Sequence, residues 1–291
     1  MFEFDWFFCA ILTALANGLQ GFFYKIAVEQ ENDPYLVAFS GASVSYILAG
    51  TVLCVGHPKI GDLRWLVILG TIGGVGFIFV MISRLSALKY LPSSVVFTVF
   101  RSNTVIVFAL YFILPVLFPE RISSKSLIGV LLIVIAVLTL SQEHEKKRNR
   151  PNFQLGLGLI LLAAFISAFL YLSQKIAIHI LSIDINSFIF IINLEIAIIC
   201  IAVLGFKREA PNIMSSLKNG AFIGIYSYAS FLFFLHAIRR GNLSLVVAVD
   251  STSFLIPILL SVHFYKEKLT STKIMAALFT LGGLLLIRGP F

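Results

Sequence analysis

Four ionisable side chains lie inside long apolar runs of this chain: Arg84, Arg101, Glu195 and Asp250. A charge at the centre of a helix in hydrocarbon costs about 2.5–3.5 kcal/mol on insertion scales, so each needs a partner, water or a task. Arg101 and Asp250 have opposite signs. The chain repeats itself at an offset of 150 residues: Lys25-Ile26-Ala27 returns as Lys175-Ile176-Ala177, and Gly74, Ala87, Ser94, Val96 and Val99 return as Gly224, Ala237, Ser244, Val246 and Val249. That offset sets Arg101 against Ser251, one residue from Asp250, and puts the two charges at nearly equal depth. Two chemistries are open to the pair: a permanent ion pair that fixes packing, or the two ends of a site for a charged or zwitterionic solute. Thr98, Ser102, Asn103 and Thr104 near Arg101, with Ser251, Thr252 and Ser253 near Asp250, favour a wet cavity, because a dry interior leaves too many polar groups to satisfy.

Glu195, two residues after Asn193, is with Asp250 the candidate for a protonatable coupling carboxylate; the alternative is a hydrogen bond to a neighbouring helix. Arg84 sits about two turns before Pro92 and reads as a residue that snorkels to the interface. Asn17, Gln20 and Tyr24 share one helical face, and the second copy answers with Ser167, Tyr171 and Gln174. Both stripes suit cavity lining or interhelical hydrogen bonding. Tyr228 and His236 are further candidates for the lining, whereas Lys25 and Lys175 read as interfacial anchors.

The elements that must position these groups are transmembrane helices. Mean hydropathy is +0.98 and only 12% of residues are charged, against about a quarter in soluble proteins. Ten apolar runs, each of a length that crosses about 30 Å of hydrocarbon, cover residues 4–27, 35–55, 65–88, 93–117, 125–141, 154–174, 185–206, 219–238, 243–264 and 273–289. Their continuous apolarity excludes a strand barrel. The predicted fold is therefore all-α and integral to the membrane, with ten transmembrane helices. A first repeat spans 1–141, a basic linker 142–152, and a second repeat 153–291. Five spans per half is an odd number, so the second copy enters the membrane from the opposite side and the repeats are inverted.

Composition and motifs also exclude. The +8 net charge sits mainly at helix ends, where it signals topology and not nucleic-acid binding. No GxxxxGK[ST] element supports ATP hydrolysis, and no HExxH or GxSxG supports a protease. Cys9, Cys54 and Cys200 lie in apolar runs without metal spacing and read as packing residues. No cofactor or metal is expected. His57 and Asp62 match an HxxxxD acyltransferase pattern, which keeps open an integral membrane enzyme acting on a lipid-linked or acyl substrate, though the loop is too short for an acyl-donor site.

At Ala87-Leu88-Lys89-Tyr90-Leu91-Pro92-Ser93-Ser94, and again at Glu120-Arg121-Ile122-Ser123, the chain resembles the EamA-like branch of the drug/metabolite transporter superfamily. The second half repeats the pattern at Ala237 to Ser244 and from Pro257 to Thr270. The resemblance implies a ten-helix secondary transporter or exchanger with a central cavity. Its partners would be a small organic solute and the bilayer, with an inner-membrane location and both termini in the cytoplasm; a proton is the coupling ion that Glu195 or Asp250 would carry. Charge counting opposes that orientation: eight Lys or Arg share a side with the termini, and twelve lie opposite, four of them in the linker.

Overall fold

A computed structural model of the chain describes residues 5–56, 61–91, 93–113, 122–142, 152–206, 212–257, 259–260 and 270–288. Among these residues all regular structure is helical. The first half contains α1 (Trp6–Glu29), α2 (Pro34–Val55), α3 (Leu63–Tyr90), α4 (Ser93–Phe100), α5 (Asn103–Ile113) and α6 (Ser124–Gln142). The second half contains α7 (Phe153–Lys175), which runs on as a π-helical turn (Ile176–Ile180), then α8 (Ile185–Phe206), α9 (Ile213–Arg240), α10 (Leu243–Ser251) with a 3-10 turn (Thr252–Phe254), and α11 (Ser271–Arg288). Six helices, α1, α2, α3, α7 with its π turn, α8 and α9, are long and apolar enough to cross a membrane. Shorter apolar segments at 95–111, 124–136, 243–257 and 274–287 occupy the other four expected positions.

Short polar residues fix where the spans begin. Asp33 accepts hydrogen bonds from the Tyr35 and Leu36 amides at 2.8 and 3.1 Å, ahead of Pro34 in the first turn of α2. Asp62 and Asn242 accept from the amides two residues on, both at 2.9 Å, at the starts of α3 and α10. Such caps satisfy amides that the helix itself leaves unpaired.

Packing between helices follows the repeat. α1 and α2 pack on α9, and their counterparts α7 and α8 pack on α3; α2 meets α8, and α6 pairs with α11. Every main contact is thus either exchanged with its copy or lies between equivalent helices, as an approximate twofold relation requires. Close approach depends on glycine at the crossings. A Cβ on Gly129 would lie 2.7 Å from the Gly283 carbonyl oxygen, and one on Gly283 equally close to that of Gly129, so α6 and α11 touch backbone to backbone.

Two local features depart from the sequence reading. The run 93–117 is not one continuous helix, because α4 stops at Phe100, and Arg101 and Ser102 form a turn before α5. There the amides of Arg101, Ser102, Thr104 and Val105 bond three residues back and not four. Its counterpart tightens too, at Thr252–Phe254. Lys175 is no interfacial anchor: it is 1% exposed, and its Nζ donates to the Ile238 and Gly241 carbonyls at 2.9 and 3.0 Å. It thereby satisfies the C-terminal end of α9. Cys9 and Cys200 are buried, Cys54 is exposed, and all three are free thiols. Most of the linker (143–151), residues 57–60 of the HxxxxD pattern, and both glutamates of the repeated loop, Glu120 and Glu267, lie outside the described residues.

Candidate functional site

A cavity of about 120 Å3 lies between the two halves, lined from α1, α2, α3, α7, α8 and α9 and by the turn at Arg101. The two halves line it at equivalent positions. At the 150-residue offset Asn17 matches Ser167, Tyr24 matches Gln174, Phe77 matches Ser227, Val80 matches Ser230, Met81 matches Phe231 and Arg84 matches Phe234, and all twelve face the cavity.

At its edge the Arg101 Nη1 donates to Asp250 Oδ2 at 2.7 Å, and Nη2 to the Ser253 hydroxyl. Asp250 is fully buried and accepts again at Oδ1 from Asn17 Nδ2 at 2.7 Å, with the Tyr171 hydroxyl 3.4 Å from Oδ2. One carboxylate therefore ties α1, α7 and the turn after α4 to α10. The turn frees the Arg101 side chain to project at the point where both interrupted spans meet. Charge-assisted bonds of this kind are short and strong, and the extra donors supply what water would otherwise give.

Arg84 has a different setting. Its guanidinium carbon lies 4.5 Å from the Phe100 ring centroid, 4.9 Å from Tyr24 and 6.0 Å from Phe97. Arg101 approaches Phe100 too, at 5.7 Å. The Nε of Arg84 is buried without a hydrogen-bond partner, and among the described residues no carboxylate pairs with it. Gln174 also lines the cavity with both amide atoms buried and unbonded.

Of the residues the sequence singled out, Asn17, Gln20, Tyr24, Arg101, Ser167, Tyr171 and Gln174 line the cavity. Asp250 stands just behind it through Arg101, and Asn103 supports it by donating to the Ser167 hydroxyl at 2.9 Å. Four lie elsewhere. Glu195 accepts from Thr71 Oγ1 at 2.6 Å between α8 and α3, Tyr228 donates to Asn186, Ser251 turns back to the Ala248 carbonyl, and His236 is exposed. The lining also contains Arg84, Asn193, Ser227 and Ser230, of which sequence reasoning had assigned Arg84 to the interface.

The EamA-like transporter family model matches this chain twice, over residues 5–142 and 154–289. The chain belongs to the EamA-like transporter family. One copy of the family unit falls on each half, in agreement with the exchange of helix contacts described above. A crystal structure of another protein is similar at a TM-score of 0.75, over 97% of this chain and 94% of that one, with 15% sequence identity. At that identity the likeness bears on the fold alone. No curated protein sequence matches significantly. As an EamA-like protein of the drug/metabolite superfamily, the chain is a multi-pass integral membrane protein of a transporter family.

Proposed function

We propose that this protein is a secondary transporter or exchanger of small polar or amphipathic organic metabolites, working without ATP by alternating access to the cavity between its halves. One observation carries this reading. The spans that meet beside the cavity depart from α-helix at nearly equivalent places, a turn at Arg101–Ser102 and a 3-10 turn at Thr252–Phe254, and an ion pair joins them next to these turns. Broken helices at mid-membrane are where carriers of this architecture bind solute and hinge. Arg101 and Asp250 hold the two halves together in one state, with Asn17 and Tyr171 as further ties on the carboxylate. A proton taken up by Asp250 would cancel one charge of the pair and loosen that tie, which makes Asp250 the coupling carboxylate of this mechanism. We place the protein in the cell membrane with both termini in the cytoplasm, following the family topology.

The test is transport by reconstituted protein whose native cysteines are replaced and whose Ser227 is changed to Cys. Ser227 faces the cavity, and its carbonyl already accepts from Ser230, a bond the substitution leaves in place. Alkylation of Ser227→Cys should abolish solute exchange and be slowed by solute. Exchange that continues at the parental rate after complete alkylation removes the cavity from the pathway.

A further inference from the structure

Resting on that transport reading, we infer that the solute is a small organic monoanion, a carboxylate on an apolar or aromatic body, and that Arg84 receives its carboxylate. The cavity lining holds only two charged side chains among the described residues, and both are arginines. Arg101 is neutralised by Asp250 and bonded to Ser253. Arg84 has no carboxylate paired with it among the described residues: its neighbours are the rings of Phe100, Tyr24 and Phe97. Ring faces offset only part of the cost of withdrawing a guanidinium from water. What remains is one standing positive charge, at a buried donor still without an acceptor. The planar fork of a guanidinium matches a carboxylate in geometry as well as charge.

Charge also selects within the anions. A phosphate monoester carries about −1.5 to −2 at neutral pH and would leave the cavity negative, whereas one carboxylate brings it to zero. The remainder of the lining suits the rest of such a solute. Opposite Arg84 in the repeat stands Phe234, whose ring packs against Tyr171 with centroids 4.9 Å apart. Gln174 offers an unbonded amide for one neutral polar group. A cationic solute would meet like charge at Arg84 with no acidic residue in the lining to offset it.

Proteoliposomes loaded with a uniformly 13C-labelled polar metabolite extract, with release resolved by mass spectrometry, test the class directly. Protein-dependent release should be confined to carboxylate anions, fall at least tenfold in Arg84→Gln, and be partly retained in Arg84→Lys. Release of neutral, cationic or phosphorylated solutes instead overturns the inference and leaves the transport reading standing, as does anion release unchanged by Arg84→Gln. Release of nothing sinks the transport reading, and the site is then judged by binding alone. Thermal unfolding of the detergent-purified protein with benzoate, benzamide or benzylamine should show a rise in Tm for benzoate only, absent in Arg84→Gln. Equal shifts for the three probes, or no shift for any, reject the anion site.

Discussion

Two arginines flank one phenylalanine at the heart of this protein, and they have opposite fates. Arg101 approaches Phe100 from the side of the broken helices, and its charge is spent inside the protein, on Asp250 and Ser253. Arg84 approaches the same ring from α3 and finds only aromatic faces. The two differ in sequence origin as well. Arg101 sits opposite a serine in the second repeat and next to the position that supplies its acid, whereas Arg84 sits opposite Phe234 and pairs with no carboxylate among the described residues. A duplicated scaffold has thus kept its backbone symmetric and broken its charge symmetry at two points, one to lock the halves and one left available to a ligand.

The largest expected effect comes from undoing the lock. Asp250→Asn leaves the Arg101 guanidinium, 6% exposed, without a counter-charge. Breaking a buried pair on one side costs about 3–5 kcal/mol, read as a fall in unfolding free energy of the purified protein in detergent or bicelles. Replacing both partners, Arg101→Met with Asp250→Leu, should recover most of that stability without restoring transport. A double variant that transports at the parental rate would make the pair architecture only.

Next comes Lys175→Met, a buried charge in another role. The ammonium donates to the Ile238 and Gly241 carbonyls, and losing a charged donor to buried carbonyls costs about 1–3 kcal/mol. Stability should fall by that amount while solute selectivity is unchanged, since Lys175 is not part of the cavity lining.

Arg84→Gln belongs on the far side of the comparison. Removing Arg101's partner strands a charge, but removing Arg84 takes away a charge already stranded. Loss of its ring contacts, about 0.5–2 kcal/mol, is opposed by relief of a half-buried cation with a buried, unbonded Nε, and the net change should stay within about 1 kcal/mol. A loss as large as that of Asp250→Asn would mean that Arg84 is as structural as Arg101, and the contrast between them would fall.

How much of this was legible in the sequence depends on what each residue's depth requires. The repeat, the ten apolar segments and the level match of Arg101 with Asp250 follow from spacing alone, because helical rise converts residue number into height. The stripes Asn17, Gln20, Tyr24 and Ser167, Tyr171, Gln174 were legible for the same reason, and all six residues line the cavity. Lys175 was misread because its apolar run ends at residue 174, whereas the helix gains another turn in π form to Ile180 and carries the lysine inward. Arg84 was misread because a position two turns from a helix end permits either direction for a long side chain. Only the placement of Phe100, Tyr24 and Phe97 shows that it turns toward the cavity. The turn at Arg101 left no mark, since Val99, Phe100 and the polar run after it are all compatible with an unbroken helix.

The smallest effect is expected where the sequence offered its second coupling acid. Glu195 lies between α8 and α3, where it accepts a hydrogen bond from the exposed Thr71 and packs against Gly74, at which a Cβ would sit 2.9 Å from its own Cβ. Glu195→Gln retains an amide oxygen for the Thr71 hydroxyl and nearly the same volume, so stability should change by no more than about 0.5 kcal/mol. Because the carboxylate is not part of the cavity lining, the dependence of transport on pH should persist unchanged in Glu195→Gln. The reverse result, an active but pH-independent Glu195→Gln carrier, would move proton coupling out of the ion pair and onto the contact between α3 and α8. The lock at Arg101 would then answer to solute alone.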